Sequence, residues 1–414
     1  SWEQALDAAG FRKLLSGSID LSKSTIYMSQ GKYIMSEESG LGVIVRKDVK
    51  AIKGGYSQFS EGTDVSARDI DAYVTVISGD VNGNKQADAG DCGLLLVKKG
   101  HIAIEGVTFQ YGYVSEADAS ATECGSGIYV SGSASDTSIE LTDCVIRDCK
   151  SGVTTSAKQG GPAVFVLSGQ VRLNKVSLLD NTAAGRGGAV RCSSKTAVVF
   201  MNGCLLKGNS HNGSWGNGIQ MSEGHICINN TTLIENMGTG AALNGGGSIL
   251  LTNNTIIGNA NDSHGAVRCE TGVGGDTKFI NNLLISENPS APSFNLNGSN
   301  FEAFSKGYNV YQRVTGITMM ASDTAYPNQV NGALNEEGVY VWDLNQIGSV
   351  KGYATRQAVI EVAKSFNPVA SPITNLGEVF VEWIGEDAFG IDQRGVTRNA
   401  NKMQAGAYDA VLAN

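Results

Sequence analysis

The phrase GGAVRC at residues 187–192 returns as HGAVRC at 264–269, with Arg191 and Arg268 77 positions apart. A catalytic motif has no reason to be copied at such a distance, whereas a structural unit that must be stacked many times does. Sliding the chain against itself places both copies in a longer pattern. One series is a strand followed by an Asn-ended turn: IELTDCVIRDC, VRLNKVSLLDN, FMNGCLLKGN, ICINNTTLIEN, ILLTNNTIIGN and KFINNLLISEN. Its closing positions are Cys149, Asn181, Asn209, Asn236, Asn259 and Asn288, and IAIEGVTFQYG, ending at Gly112, is a degenerate earlier member. The other series is a glycine followed by a short strand: GIYV, PAVFV, GAVRC, GIQM, GAAL and GAVRC again. The two opening phrases therefore lie three turns apart in one solenoid.

A period of 22 to 37 residues, with short strands, β-branched residues at alternate positions and no helical pattern, predicts an all-β chain wound as a single parallel β-helix. Glycine supplies positive φ at the corners, and asparagine tolerates the left-handed region. The closing asparagines are expected to stack as an amide ladder. A second ladder, Asn174, Asn202, Asn229 and Asn281, is expected seven residues earlier in each coil. Ile234 is taken as an inward residue of the stack. An open coil end exposes core and strand edges, so caps are required. Residues 1–16 place Trp2, Leu6, Leu14 and Leu15 at helical spacing and suit an N-terminal helical cap. TRQAVIEVAKSF (355–366) reads as a short helix. The expected division is 1–40 cap and first strands, 41–300 parallel β-helix, and 301–414 an irregular closing region.

Composition narrows the partners. A formal net charge of −9 without a Lys/Arg run argues against nucleic acid. No stretch of 18 apolar residues is present, so no transmembrane segment is expected. The first residue is Ser1, which fits a chain whose leader lies upstream. The 8 cysteines show no zinc spacing and sit in apolar strand phrases, as small buried hydrophobes do.

With the repeat in place, several phrases carry a likeness. SWEQAL, TIYMSQGKYIMSE, GGYSQFSEGTDVSARDIDAYVTVISGDVNGN, SKGYNV and FGIDQRGVTRNANKMQAGAYDA together resemble the bacterial choice-of-anchor Q surface proteins. GGAV (187–190) and FINN (279–282) also resemble the repeats of chlamydial polymorphic outer-membrane proteins. The resemblance covers nearly the whole chain. It implies a right-handed β-helix closed by a D..G..R…GAY phrase, secreted or tethered outside a bacterium, with no defined catalytic set.

Four groups of residues are candidates for chemistry. In DVNGNKQADAGD (80–91), Asp80, Asn82, Asn84, the Gln86 carbonyl, Asp88 and Asp91 fall at the ligand spacing of a calcium loop. Lys85 replaces the usual sharp-turn glycine there, and Asp91 the usual bidentate glutamate. Asp148, Asp180, Glu235 and Glu287 form an acidic column just before the closing positions, which a glycosidase could use as a carboxylate pair. Arg191 and Arg268 should point outward from one face, roughly 14 Å apart, too far to share one lyase subsite. Tyr111, Tyr113 and Trp215 offer aromatic faces for a sugar. His101, His211, His225 and His264 show no metal spacing and are expected on the surface or in turns, and the polygalacturonase phrases and GxSxG are absent. Like residues repeating in columns suit a binding flank better than a catalytic centre. The expectation is a monomeric, non-catalytic, adhesin-like scaffold, secreted or on the cell surface, that binds glycans or host or cell-wall polymers, with calcium as a candidate ion. The competing reading is a polysaccharide lyase or glycoside hydrolase.

Overall fold

The computed structural model describes residues 7–59, 64–117, 125–154, 159–213, 215–259, 261–270, 276–297, 303–326, 332–334, 340–342 and 351–407. The stack is a right-handed parallel β-helix. Each coil crosses three faces. In one coil these are Val190–Cys192 on the first face, Ala197–Asn202 on the second and Leu205–Lys207 on the third, followed by a short fourth ladder at Ser210–His211. Successive coils pair in parallel and in register, so equivalent residues form columns. The coils begin at Leu21–Ser29 and continue past residue 300 to Thr324–Ala325.

The core lies inside the coils. Ile139, Val171, Val199, Ile226 and Ile249 form one inward column on the second face. Ile146, Leu178, Leu206, Leu233 and Ile256 form its counterpart on the third. Ile234 is therefore not inward as expected. Side chains alternate along a strand, so Leu233 takes the interior and Ile234 the outside, in the column of Arg147, Leu179 and Lys207.

The corners explain the sequence. Between the second and third faces Gly106, Asp143, Lys175, Gly203, Asn230, Asn253, Asn281 and Tyr308 all take left-handed backbone, with φ between 50 and 64°. A single such residue turns the chain from one face to the next. After the third face Tyr111, Asp148, Asp180, Gly208 and Glu235 do the same, with φ between 54 and 68°. The closing ladder forms from Cys149 to Asn236. Asn181 Nδ2 donates to Asn209 Oδ1 at 2.9 Å, and Asn209 Nδ2 to Asn236 Oδ1 at 2.8 Å. Asn259 continues it with an Nδ2 bond to the Asn236 carbonyl at 2.5 Å, but Asn288 leaves the column and bonds the Asp262 carbonyl instead. The second ladder steps sideways, since Asn229 accepts from Asn253, which in turn accepts from Asn281. Both departures are a one-residue slip of the coil at 277–288, whose register is set by burying Phe279 and Leu284 rather than by its terminal asparagine. A third ladder, Thr231, Asn254, Asn282 and Asn309, fills the corner interior.

The ends and flanks are closed by other elements. Helix α1, Ala8–Ser16, is capped by Asp7, which accepts from Gly10 N at 2.7 Å, and buries Phe11 and Leu15 against the core. Of the expected cap residues, Trp2 and Leu6 lie outside the described residues. Helices α2, Arg356–Lys364, and α3, Leu376–Ile384, do not cap the stack. They lie along its flank, packing Val359, Ile360, Phe366 and Phe380 on Val198, Phe200, Cys227, Leu250 and Ile280. The closing phrase then runs along the corner between the second and third faces. Arg398 Nη2 donates to Asn230 Oδ1 at 2.7 Å, Gln393 Nε2 to the Cys204 carbonyl at 2.9 Å, and Ala407 N to Thr255 Oγ1 at 2.9 Å. Among the described residues no helix is long and apolar enough to cross a membrane.

Candidate functional site

The two arginines of the repeated phrase stand in one outward column of the first face. It reads Leu96, Tyr129, Phe165, Arg191, Gln220, Asn244, Arg268 and Asn295, one residue per coil. Arg191 and Arg268 are three coils apart. The apolar start of the column is covered by Val114 and Val153. The polar part borders a cleft of about 270 Å³ lined by Arg186, Arg191, Trp215, Gln220, Ser222 and Glu270.

Trp215 is held in an unusual backbone conformation, φ 100°. Such a conformation costs a bulky residue on the order of 1–3 kcal/mol and persists only when its surroundings impose it. They do so here. Ala241 N donates to the Trp215 carbonyl at 2.9 Å, and a Cβ on Gly240 would lie 1.2 Å from that oxygen, so only glycine fits beneath the turn. The Arg186 guanidinium lies 5.7 Å from the centroid of the Trp215 ring, a cation–π contact. The indole Nε1 is buried without a hydrogen-bond partner among the described residues. Arg191 is fixed from below and beside: Nη1 donates to the Gln159 carbonyl, Nη2 to Ser222 Oγ at 3.2 Å, and its guanidinium sits 5.7 Å from the Phe165 ring. Glu270 pairs with Arg268 at 3.2 Å. Burial pushes the Glu270 carboxyl above its usual range, with Arg268 opposing that shift.

Of the residues singled out from the sequence, the structure thus gathers Arg191 and Trp215 in one cleft and brings Arg268 to its edge through Glu270. Tyr111 and Tyr113 lie elsewhere. Tyr111 heads the left-handed column that continues as Asp148 and Asp180, and Tyr113 belongs to the short fourth ladder, its ring lying over Gly152. Arg186, Ser222 and Glu270 were not anticipated. Glu270 was within reach, because it follows Arg268 by two residues on the same side of a strand.

The acidic column has a conformational explanation. Asp148, Asp180 and Glu235 occupy left-handed turn positions, and Asp148 and Glu235 pair with the cations preceding or above them, Arg147 at 3.6 Å and Lys207 at 3.5 Å. Glu287 shares the slip of its coil and lies one position off the column, where Ser286 stands opposite Gly258. The 80–91 segment folds as a closed loop on the side of an early coil. Asp80 Oδ2 pairs with Lys32 Nζ at 2.5 Å, Asp91 Oδ1 accepts from Val81 N at 2.9 Å, and Asp88 accepts from the Asn82 and Asn84 amides at 2.9 and 2.6 Å. Asn84 Oδ1 takes the Gln86 N–H at 2.9 Å. Lys85 adopts φ 60°, the left-handed conformation that the expected glycine would supply.

The histidines divide. His101 is exposed, but His211 and His225 are buried, contrary to expectation, and burial lowers both below the usual imidazole range. His211 sits under the cleft's own coil, its Nε2 2.8 Å from Asn217 Oδ1, while Asn217 Nδ2 donates to Asp262. A Cβ on Gly238 would come within 2.6 Å of His211 Nε2, so a glycine keeps the space open. The seven described cysteines are free and buried, and burial pushes thiols such as Cys192 and Cys269 up to about 12, which leaves them inert. Cys124 lies outside the described residues.

The family model for the right handed beta helix region matches residues 71–256 of the chain. No curated protein and no solved structure matches it.

Proposed function

We propose that this chain is a non-catalytic β-helix scaffold, displayed on or secreted from a bacterial cell, that holds a glycan in the cleft between Arg186, Trp215 and Glu270. Membership of the choice-of-anchor Q group is part of the same proposal. The observation that carries it is Trp215: a bulky residue kept at φ 100° over a glycine that nothing else can replace, beside two arginines. Strain maintained by its surroundings in a concave, polar site is where ligand contacts concentrate. Binding is favoured over hydrolysis because both glycosidase mechanisms need two carboxyl groups flanking the bond. Among the described residues Glu270 is the one carboxyl lining the cleft, and it is already paired with Arg268.

The test is a screen of the intact chain against acidic and neutral polysaccharides, reading binding and released sugar together. Binding without product, weakened by Trp215→Ala, is the expected result. Release of reducing or unsaturated sugars, abolished by Glu270→Gln or Arg191→Ala, would establish the lyase or hydrolase reading instead. Calcium at 80–91 is proposed on the ligand spacing and on the left-handed Lys85.

A further inference from the structure

We infer that the cleft takes the carboxylated ring of an acidic polysaccharide, a uronic acid unit, in preference to a neutral sugar. The inference rests on the glycan reading above and adds the charge of the ligand to it. The cleft is rich in donors and poor in acceptors. Arg186 makes no side-chain hydrogen bond or ion pair to a described residue; its guanidinium is held by the indole face alone, 5.7 Å from the ring centroid. The Trp215 Nε1–H, buried beside it, also lacks an acceptor among the described residues. Arg191 adds a second guanidinium, 7% exposed and fixed on the Gln159 carbonyl and Ser222 Oγ. The one carboxylate lining the cleft among the described residues, Glu270, is engaged by Arg268 at 3.2 Å.

Among the described residues lining the cleft, two arginines stand against one carboxylate, on a chain whose net charge is −9. The Arg186 guanidinium is exposed and held by no acceptor among the described residues, so its N–H groups are available to a ligand. A neutral sugar offers hydroxyls that donate as readily as they accept, and it leaves that charge uncompensated. A ring carboxylate supplies both acceptors and charge, in the planar form that an arginine fork engages with two hydrogen bonds. At about 270 Å³ the space suits one ring rather than a long stretch of chain. With the carboxylate toward Arg186 and the indole N–H, Glu270 at the other side of the cleft is placed to accept from ring hydroxyls.

Titration calorimetry of the full chain decides it, using oligomers of galacturonate, glucuronate and mannuronate, each alongside its carboxyl-reduced neutral counterpart. At least one acidic oligomer is expected to bind ten-fold or more tightly than its reduced form, with affinity falling as salt rises. Arg186→Gln is expected to bring the acidic oligomer down to the level of the reduced one. Trp215→Phe, which keeps a ring and loses the N–H, should fall between, and both variants should melt as the parent does. Equal affinity for acidic and reduced oligomers overturns the inference and leaves the glycan reading standing. Binding to neither set, nor to any glycan of the wider screen, overturns both.

Discussion

The outward columns of the first and second faces exchange character at the same level of the stack. On the first face the column runs from apolar to polar, Leu96, Tyr129 and Phe165 giving way to Arg191, Gln220, Asn244 and Arg268. On the second it runs from polar to apolar: Glu140 and Arg172 are followed by Phe200, Cys227 and Leu250. The interior is continuous through both changes, so the core does not cause them. What changes is the cover. Loops lie over the first face in the early coils, whereas α2 and α3 pack their apolar side chains on the second face in the later ones, and Trp383 at the edge of that cover reaches Glu140 and Arg172. Outward chemistry in a solenoid thus reports what sits on each coil, and a polar column beside a cleft marks the surface left for a ligand.

The largest expected effect concerns the shared interior. Leu233→Asp buries a charge without a partner in the middle of the stack, and no cooperative melting transition should remain. A normal melt would refute the inward assignment of Leu233. Next comes the contrast across the switch on the second face. Phe200→Ala removes a ring packed between the stack and α3 and should cost roughly 3–5 kcal/mol in denaturant unfolding. Ser138→Ala, at the early level, removes a half-exposed hydroxyl and its 2.8 Å hydrogen bond to His101 and should cost no more than about 1 kcal/mol. Equal losses would break the comparison.

A smaller effect lies at the corner beneath the cleft's coil, where His211, Asn217 and Asp262 form a buried polar cluster beside the apolar core. Burial pushes the Asp262 carboxyl up to about 8. The folded chain then keeps a proton that the unfolded chain has already released, so stability falls as pH rises toward 8. Between pH 6.5 and 8, above the ordinary range of His211, the melting temperature should decline, and Asp262→Asn should flatten that slope. An identical slope in the variant removes Asp262 as its source. The smallest effect is expected at the 80–91 loop, far from either switch. Millimolar Ca²⁺ should raise the melting temperature by mass action, and Asp80→Ala should abolish the rise. No difference between Ca²⁺ and chelator assigns the loop as a plain turn.

The sequence carried the coil repeat, the three-turn separation of Arg191 and Arg268, most of the closing ladder, the helix at 355–366 and the burial of the seven described cysteines. Those features are local or periodic, and periodicity survives without coordinates. The slip at Asn281 and Asn288 was hidden because that coil was anchored on its asparagine, while Phe279 and Leu284 decide its register. Lateral docking of α2 and α3 is a contact across more than 100 residues, yet its imprint was present: AVVF, HICI and SILL are apolar on both sides of the strand, as strands covered on both faces must be. The cleft was half legible. Its arginines repeat, but the left-handed turn that presents Trp215, and the loop that brings Arg186 over it, come from non-repeating chain.

The most direct test of the account is a crystal structure of the full chain grown with a bound acidic oligosaccharide. The account predicts a single ring seated between Arg186, Trp215 and Glu270, on the polar half of the first face. A ligand lying instead on the second face against Glu140 and Arg172, beside the Trp383 ring that contacts both, with the cleft holding only water, would contradict it.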